Sequence, residues 1–353
     1  MVLSSNFLFA QEKSVNNWFI GGSYHYGFIH PVRMSIKYNV QDHVRGIELY
    51  AGRQAGGDSF WDKLYRYPST GLAYYYGTLA NDEVFGRAHG VYPYFSSPLV
   101  KKGKYSAGYL IGTGVAYITN IYDLESNYLN LAIGTHLNSF LKFALYNEYR
   151  VSENFLITNE LVMTHYSNGR ITSPNKGLNQ VTANIGLKYF PDNRQINRET
   201  EIPAFTGHNE LSVVSGYASK VIDHFNTGRY NALLLSIDYS RSLSHKRKLL
   251  TGVDFAYDGS LKKLISEDTG EPAVFSDALR IGLHAGQEVN VYDVGITLQL
   301  GVYLYNKWKN ENHFIYQRYG IRYYISDSLF CTAILKAHLG VADYLVWGAG
   351  YIF

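Results

Sequence analysis

The chain has 353 residues, 33 of them Tyr and 33 Gly, against only 8 Pro and 3 Met, a composition that favours strands and turns over helices. A formal net charge of +3 with 17% charged residues supplies no basic tract for neutralising phosphates, which argues against nucleic acid as a partner. The single Cys331 allows neither an internal disulfide nor a two-thiol zinc or redox motif. No apolar run reaches the ~18 residues of a transmembrane helix, so a membrane, if entered, is crossed by strands.

In chain order, residues 3–10 (LSSNFLFA), followed by Gln11, read either as the end of a truncated signal peptide or as an N-terminal tail. Residues 1–16 are set apart on that basis. From about residue 17 onward, short segments alternate in polarity between turn clusters, the pattern of membrane barrel strands. The segments start near residues 17, 45, 70, 88, 104, 130, 154, 179, 207, 229, 246, 278, 291, 313, 329 and 342. In the stretch 291–304, Tyr292, Val294, Ile296, Leu298, Leu300, Val302 and Leu304 share one face, and Asp293, Gly295, Thr297, Gln299 and Gly301 the other. Residues 230–240 repeat this, with Leu233, Leu235 and Ile237 opposite Ser236, Asp238 and Ser240.

A soluble β-sandwich also alternates. Three features favour a barrel. The polar face is rich in Gly, Ser, Thr and Gln, which suits a hydrated lumen. Aromatic clusters at Tyr74-Tyr75-Tyr76, at Tyr92, Tyr94 and Phe95, and at Tyr323-Tyr324 fall near segment ends, where interfacial girdles sit. The chain stops on YLVWGAGYIF, with Leu345, Trp347, Ala349, Tyr351 and Phe353 on one face, which resembles the C-terminal assembly signal of bacterial outer-membrane barrels.

The expectation is therefore all-β: one antiparallel transmembrane β-barrel spanning 17–353, with an even number of strands, about 16 in a range of 12 to 16. With both ends in the periplasm, every second connection is a periplasmic turn and is expected to be short. The stretches 151–154, 242–246, 288–292 and 326–328 obey, whereas those near 54–69 and 191–206 do not, which predicts one or two miscounted strands.

One segment carries chemistry. Across 155–167 the odd positions Phe155, Ile157, Asn159, Leu161, Met163, His165 and Ser167 share the more apolar, lipid-facing side. Second neighbours on a strand lie roughly 6.5 to 7 Å apart, close enough for an imidazole to lean to a hydroxyl, and a Ser nucleophile needs a base within reach. Such a site also needs an orienting group and oxyanion donors. If the hairpin is symmetric about residue 173, Asn179 lies across from Ser167 and diagonal to His165, as the candidate orienter. Asn168 and the backbone N–H groups of 168 and Gly169 are the candidate oxyanion donors. The bland alternative is that His165, Ser167 and Asn168 simply end a strand at headgroup level.

The run HYSNG, from His165 to Gly169, followed by Pro174-Asn175-Lys176-Gly177-Leu178-Asn179, resembles the H-x-S-N and P-N-x-G layout of the PagL-type lipid A deacylases, outer-membrane acyloxyacyl hydrolases. The match covers about residues 160–190. It implies Ser167 as nucleophile, His165 as general base, Asn168 as oxyanion contributor and lipid A of lipopolysaccharide as substrate, without a cofactor. The family's orienting Glu aligns with Asn179, an amide that cannot stabilise imidazolium by charge, and Glu160 has the wrong parity to replace it. Arg170 follows Gly169 where the family has a small residue, which leaves the second oxyanion donor open.

Arg170 and Lys176 are candidates for the phosphates of lipid A, or are a solvated loop. Scattered histidines with no paired ligand spacing argue against a metal site. The resemblance implies an outer-membrane lipid A esterase; a catalytically silent barrel, a porin and a soluble glycan-binding sandwich are the alternatives.

Overall fold

A computed structural model describes residues 17–192, 194–222, 228–308 and 314–353. The expected signal-peptide remnant lies outside them. The first eight strands are β1 (Trp18–Ile29), β2 (Val44–Gln54), β3 (Ser69–Thr78), β4 (Arg87–Lys102), β5 (Tyr105–Ile118), β6 (Leu137–Arg150), β7 (Phe155–Ser167) and β8 (Leu178–Tyr189). The second eight are β9 (Asn209–Val221), β10 (Arg229–Ser244), β11 (Arg247–Asp258), β12 (Leu279–Val291), β13 (Val294–Asn306), β14 (Ile315–Tyr324), β15 (Leu329–His338) and β16 (Val341–Ile352). Among the described residues three α-helices, α1 (Met34–Lys37), α2 (Phe60–Leu64) and α3 (Gly259–Thr269), and one 3-10 helix (Phe275–Ala278) interrupt them. All strand pairs are antiparallel, and the strand count is the one expected.

The closure differs from the expectation of a single barrel over 17–353. β1 pairs with β8, placing Tyr24 opposite Ile185, and β16 pairs with β9, placing Gly348 opposite Gly216. Two closed eight-stranded barrels result. The two overlong connections are not miscounted strands. Residues 190–208 link one barrel to the other, and residues 55–68 carry α2, which straps them together. There Tyr292 Oη donates to Asp62 Oδ1 (2.7 Å), Tyr65 Oη donates to the Asn290 carbonyl (2.5 Å), and Lys246 Nζ lies 4.2 Å from the Tyr65 ring centre. The longer loops of both barrels emerge at the end opposite this strap.

An eight-stranded barrel encloses only enough room for its own side chains. The hydrated lumen expected for a wide barrel is accordingly replaced by two filled interiors. In the first, Lys142 Nζ contacts Glu48 Oε1 at 2.8 Å and Glu160 Oε2 at 3.3 Å, and Tyr92 Oη donates to Glu48 Oε2. In the second, Arg318 donates to Asp254 (2.7 Å), Arg322 to Asp238 (2.5 Å) and Glu288 (3.2 Å), and His284 sits between Asp238 and Asp254. Buried ions need such partners because desolvation alone would cost several kcal/mol each. Gly301 makes room for this packing: a Cβ there would stand 2.2 Å from Cζ of buried Tyr316.

The aromatic clusters divide by strand parity and do not all form girdles. Tyr75, Tyr92 and Tyr94 are buried inside the first barrel, while Tyr74 and Tyr323 face outward. The alternation read at 230–240 holds residue by residue, and that read at 291–304 holds from Val294, where β13 begins; Tyr292 and Asp293 instead form a turn, in which Tyr292 takes φ 52°. On the terminal strand, Trp347, Tyr351 and Phe353 are exposed on the outer face, as expected.

Candidate active site

The candidate residues gather at the loop end of the β7–β8 hairpin. His165 and Ser167 both lie on the outer face of β7, half-buried, below exposed Leu161 and Met163. Across the hairpin His165 pairs directly with Asn179. This corrects the expected register, which had put Asn179 opposite Ser167. The hairpin is centred on residue 172 and not on 173, so Asn179 slides onto His165, and His165 Nδ1 donates to Asn179 Oδ1 at 2.7 Å. Because an amide oxygen only accepts, Nδ1 carries the proton and Nε2 keeps its lone pair.

Gly177 follows the carbonyl-bonded edge of the loop, its N–H donating to the Ala132 carbonyl (3.0 Å). It has φ +70°, and a Cβ there would lie 2.8 Å from His165 Cε1. Only glycine leaves this space for the imidazole. His165 and Ser167 share their face without a direct hydrogen bond between them. On the other side of β7, Ser167 pairs with Ser139 and His165 with Leu141.

The next residues are held tightly. The Asn168 backbone N–H donates to Asn175 Oδ1 (3.0 Å) and its Nδ2 to Thr135 Oγ1 (3.3 Å). Asn168 is 4% exposed, and its Oδ1 is buried with no donor among the described residues. The expectation that the 168 N–H is available to an oxyanion is therefore corrected: Asn175 already occupies it. Gly169 (φ +63°) and Arg170 (φ +66°) follow in the left-handed region.

Arg170 and Lys176 diverge. The Arg170 guanidinium crosses to the second barrel, donating to the carbonyls of Ile222 (2.8 Å) and Ala342 (3.5 Å), whereas Lys176 Nζ donates to Ser35 Oγ (3.1 Å) in α1.

Residues 45–188 match the family model described as lipid A 3-O-deacylase (PagL), and residues 200–353 match the one described as acyloxyacyl hydrolase, C-terminal domain. The chain belongs to this family. The deacylase match runs from β2 to β8 and holds the whole candidate site, while the C-terminal match takes in all eight strands of the second barrel. Among solved structures, the chain is similar to BamA of Haemophilus ducreyi, at 12% identity over 96% of this chain and 70% of that chain, with a TM-score of 0.23. An Acinetobacter baumannii outer membrane protein follows at 6% identity, 96% and 99% coverage and TM-score 0.19. A Rhodopseudomonas blastica porin stands at 7% identity, 95% and 100% coverage and TM-score 0.18. No curated protein sequence matches.

Sequence reasoning missed Thr135 as the partner of Asn168, because the two are brought together only by the packing of one loop on another. It quoted Asn175 and Gly177 as parts of a motif without seeing their tasks. The glycine at 177, one residue before β8 begins at Leu178, was a readable signal that something bulky must fit beside it.

Proposed function

We propose that the chain is an outer-membrane esterase that hydrolyses an ester-linked acyl chain of lipid A, with Ser167 as nucleophile and His165 as general base. The observation that carries this reading is the 2.7 Å bond from His165 Nδ1 to Asn179 Oδ1, on the lipid-facing side of a strand end. It fixes the tautomer in which Nε2 can take a proton. A neutral amide in that place orients the ring without charge, and family membership supplies the substrate class.

In this mechanism Ser167 Oγ attacks the ester carbonyl carbon while its proton passes to His165 Nε2. The tetrahedral oxyanion is met by the Gly169 N–H and the free proton of Asn168 Nδ2. Collapse expels the sugar alkoxide, which takes the proton from His165, and leaves an acyl chain on Ser167. Water, deprotonated by the same imidazole, then releases the fatty acid and restores the enzyme. Exposed Leu141, Phe143, Leu161 and Met163 on the neighbouring outer surface offer an apolar path for the acyl chain.

The test is mass spectrometry of lipid A incubated with the detergent-solubilised protein. Loss of one acyl mass with the wild type and not with Ser167→Ala supports the reading. No loss with a folded wild-type barrel overturns it.

A further inference from the structure

At the loop end of the second barrel lies a cavity of about 410 Å³, lined by Arg170, Lys220, Arg280, Asp343, Trp308 and the first turn of α3, among others. It opens at the same end as Ser167, and Arg170 joins the two places: three residues of chain span at most about 11 Å. The cavity is unusual in its charge. Lys220 bridges Asp258 and Asp343 at 2.7 and 2.6 Å, and Arg280 reaches the same two carboxylates at 3.4 and 3.2 Å. These four charges cancel. Arg170 then adds a cation bonded, among the described residues, to the carbonyl oxygens of Ile222 and Ala342.

Two further groups stand unanswered. Arg280 is 7% exposed, yet its Nε–H has no acceptor among the described residues. Lys336, 3% exposed and deeper than the cavity lining, has no hydrogen-bond partner for Nζ among the described residues and lies against the rings of Tyr316, Tyr303 and Tyr344. A buried guanidinium N–H without an acceptor, and a half-buried cation held by carbonyl oxygens at the cavity wall, are costs that an anion with several oxygens removes. Trp308, Leu261, Leu264 and Val341 give the same cavity an apolar wall, which suits the sugar or acyl part of an amphiphile.

We propose that this cavity is a phosphate-monoester subsite, in which the second barrel holds the phosphorylated headgroup of the glycolipid whose ester reaches Ser167. The substrate assignment rests on the deacylase reading above; the anion subsite itself does not. The second barrel thereby acts in substrate selection, and Arg170 is its positioning residue, turned away from the reacting ester and toward the headgroup.

The experiment separates the two readings. Binding is measured on full-length Ser167→Ala protein in detergent, by tryptophan fluorescence, with lipid A and with the same lipid A stripped of phosphate. Inorganic phosphate alone forms a third arm. The result expected is a Kd at least about tenfold tighter for the phosphorylated form, with the preference lost in Arg170→Ala and partly kept in Arg170→Lys. Equal Kd values for the two lipids overturn the inference, as does a response to inorganic phosphate without a preference between lipids. Neither outcome depends on turnover, so a wild-type protein that cleaves no lipid A counts against the esterase alone. The comparison of ligands on the Ser167→Ala protein stands even if an Arg170 variant fails to fold.

Discussion

His165 and Asn179 face each other across the β7–β8 hairpin, joined by a 2.7 Å hydrogen bond from the imidazole Nδ1 to the amide oxygen. The pair has the geometry of a base and its orienter but lacks the negative charge that stabilises imidazolium in acid-containing triads. Asn179→Ala removes the acceptor, frees the ring to rotate and is expected to lower kcat on lipid A by about 10- to 100-fold. Asn179→Glu restores a charge at the same register position and is expected to keep or raise kcat. Equal rates for wild type and both variants would remove Asn179 from the mechanism.

Gly177 is the second determinant of the imidazole position. Its φ of +70° and the 2.8 Å approach of a Cβ to His165 Cε1 make Gly177→Ala doubly unfavourable, with backbone strain of roughly 1–2 kcal/mol. The methyl group pushes the ring off Asn179. The expected outcome is a loss of kcat/KM of about tenfold or more with the barrel still folded, checked by lipid A turnover beside heat-modifiable migration on gels. Full activity in Gly177→Ala would show that the ring tolerates displacement.

Asn175 acts one step further out. Its Oδ1 accepts the Asn168 N–H at 3.0 Å, which sets the chain direction just after Ser167 and before the Gly169 N–H. Asn175→Ala removes the acceptor and is expected to lower kcat about tenfold with little change in KM. Asn175→Asp keeps an acceptor oxygen there and should retain most of the rate. A change confined to KM would mean that Asn175 contacts substrate.

The strands were legible in the amino-acid sequence and the closures were not, for a physical reason. Alternation such as Leu233, Leu235 and Ile237 against Ser236 and Asp238 is local, and it is the same for one wide barrel and two narrow ones. Closure depends on pairs such as Tyr24 with Ile185, which leave no local trace. Two clues stood in the chain. The polar faces carry long charged side chains, Glu48, Lys142, Glu160, Asp254 and Arg318, which suit a filled interior better than a water-lined one. The stretch 191–206 breaks the short-turn rule, as a link between units should. At the site, the shared face of His165 and Ser167 was visible from parity. The Asn179 register was off by the geometry of a turn, and Thr135 reaches Asn168 only through tertiary packing.

The filled interiors bear on conduction. Tyr75, Tyr92, Phe140 and Tyr166 are buried within the first barrel, and Tyr316, Arg318 and Tyr344 within the second. Ion flow would require breaking the paired networks that join these walls. The purified protein in a planar bilayer is expected to show no porin-scale conductance. Steady open steps that persist in Ser167→Ala would favour a channel function.

Lys142 is the residue on which the first interior depends most. It is 2% exposed and answers two carboxylates at once, Glu48 at 2.8 Å and Glu160 at 3.3 Å. Removing one member of a buried ionic group leaves the others desolvated and unpaired, at a cost of about 3–5 kcal/mol. Lys142→Met therefore leaves two acids facing each other, and it is expected to lower the unfolding free energy by that amount, read as a fall in the denaturant midpoint of the folded band. The triple change Lys142→Met, Glu48→Gln and Glu160→Gln removes the charges together and should recover much of the loss, because neutral amides can still bond to Tyr92 and Asn184. If the single variant were as stable as the wild type, water would have to reach the group, and the interior would be wetter than its packing implies.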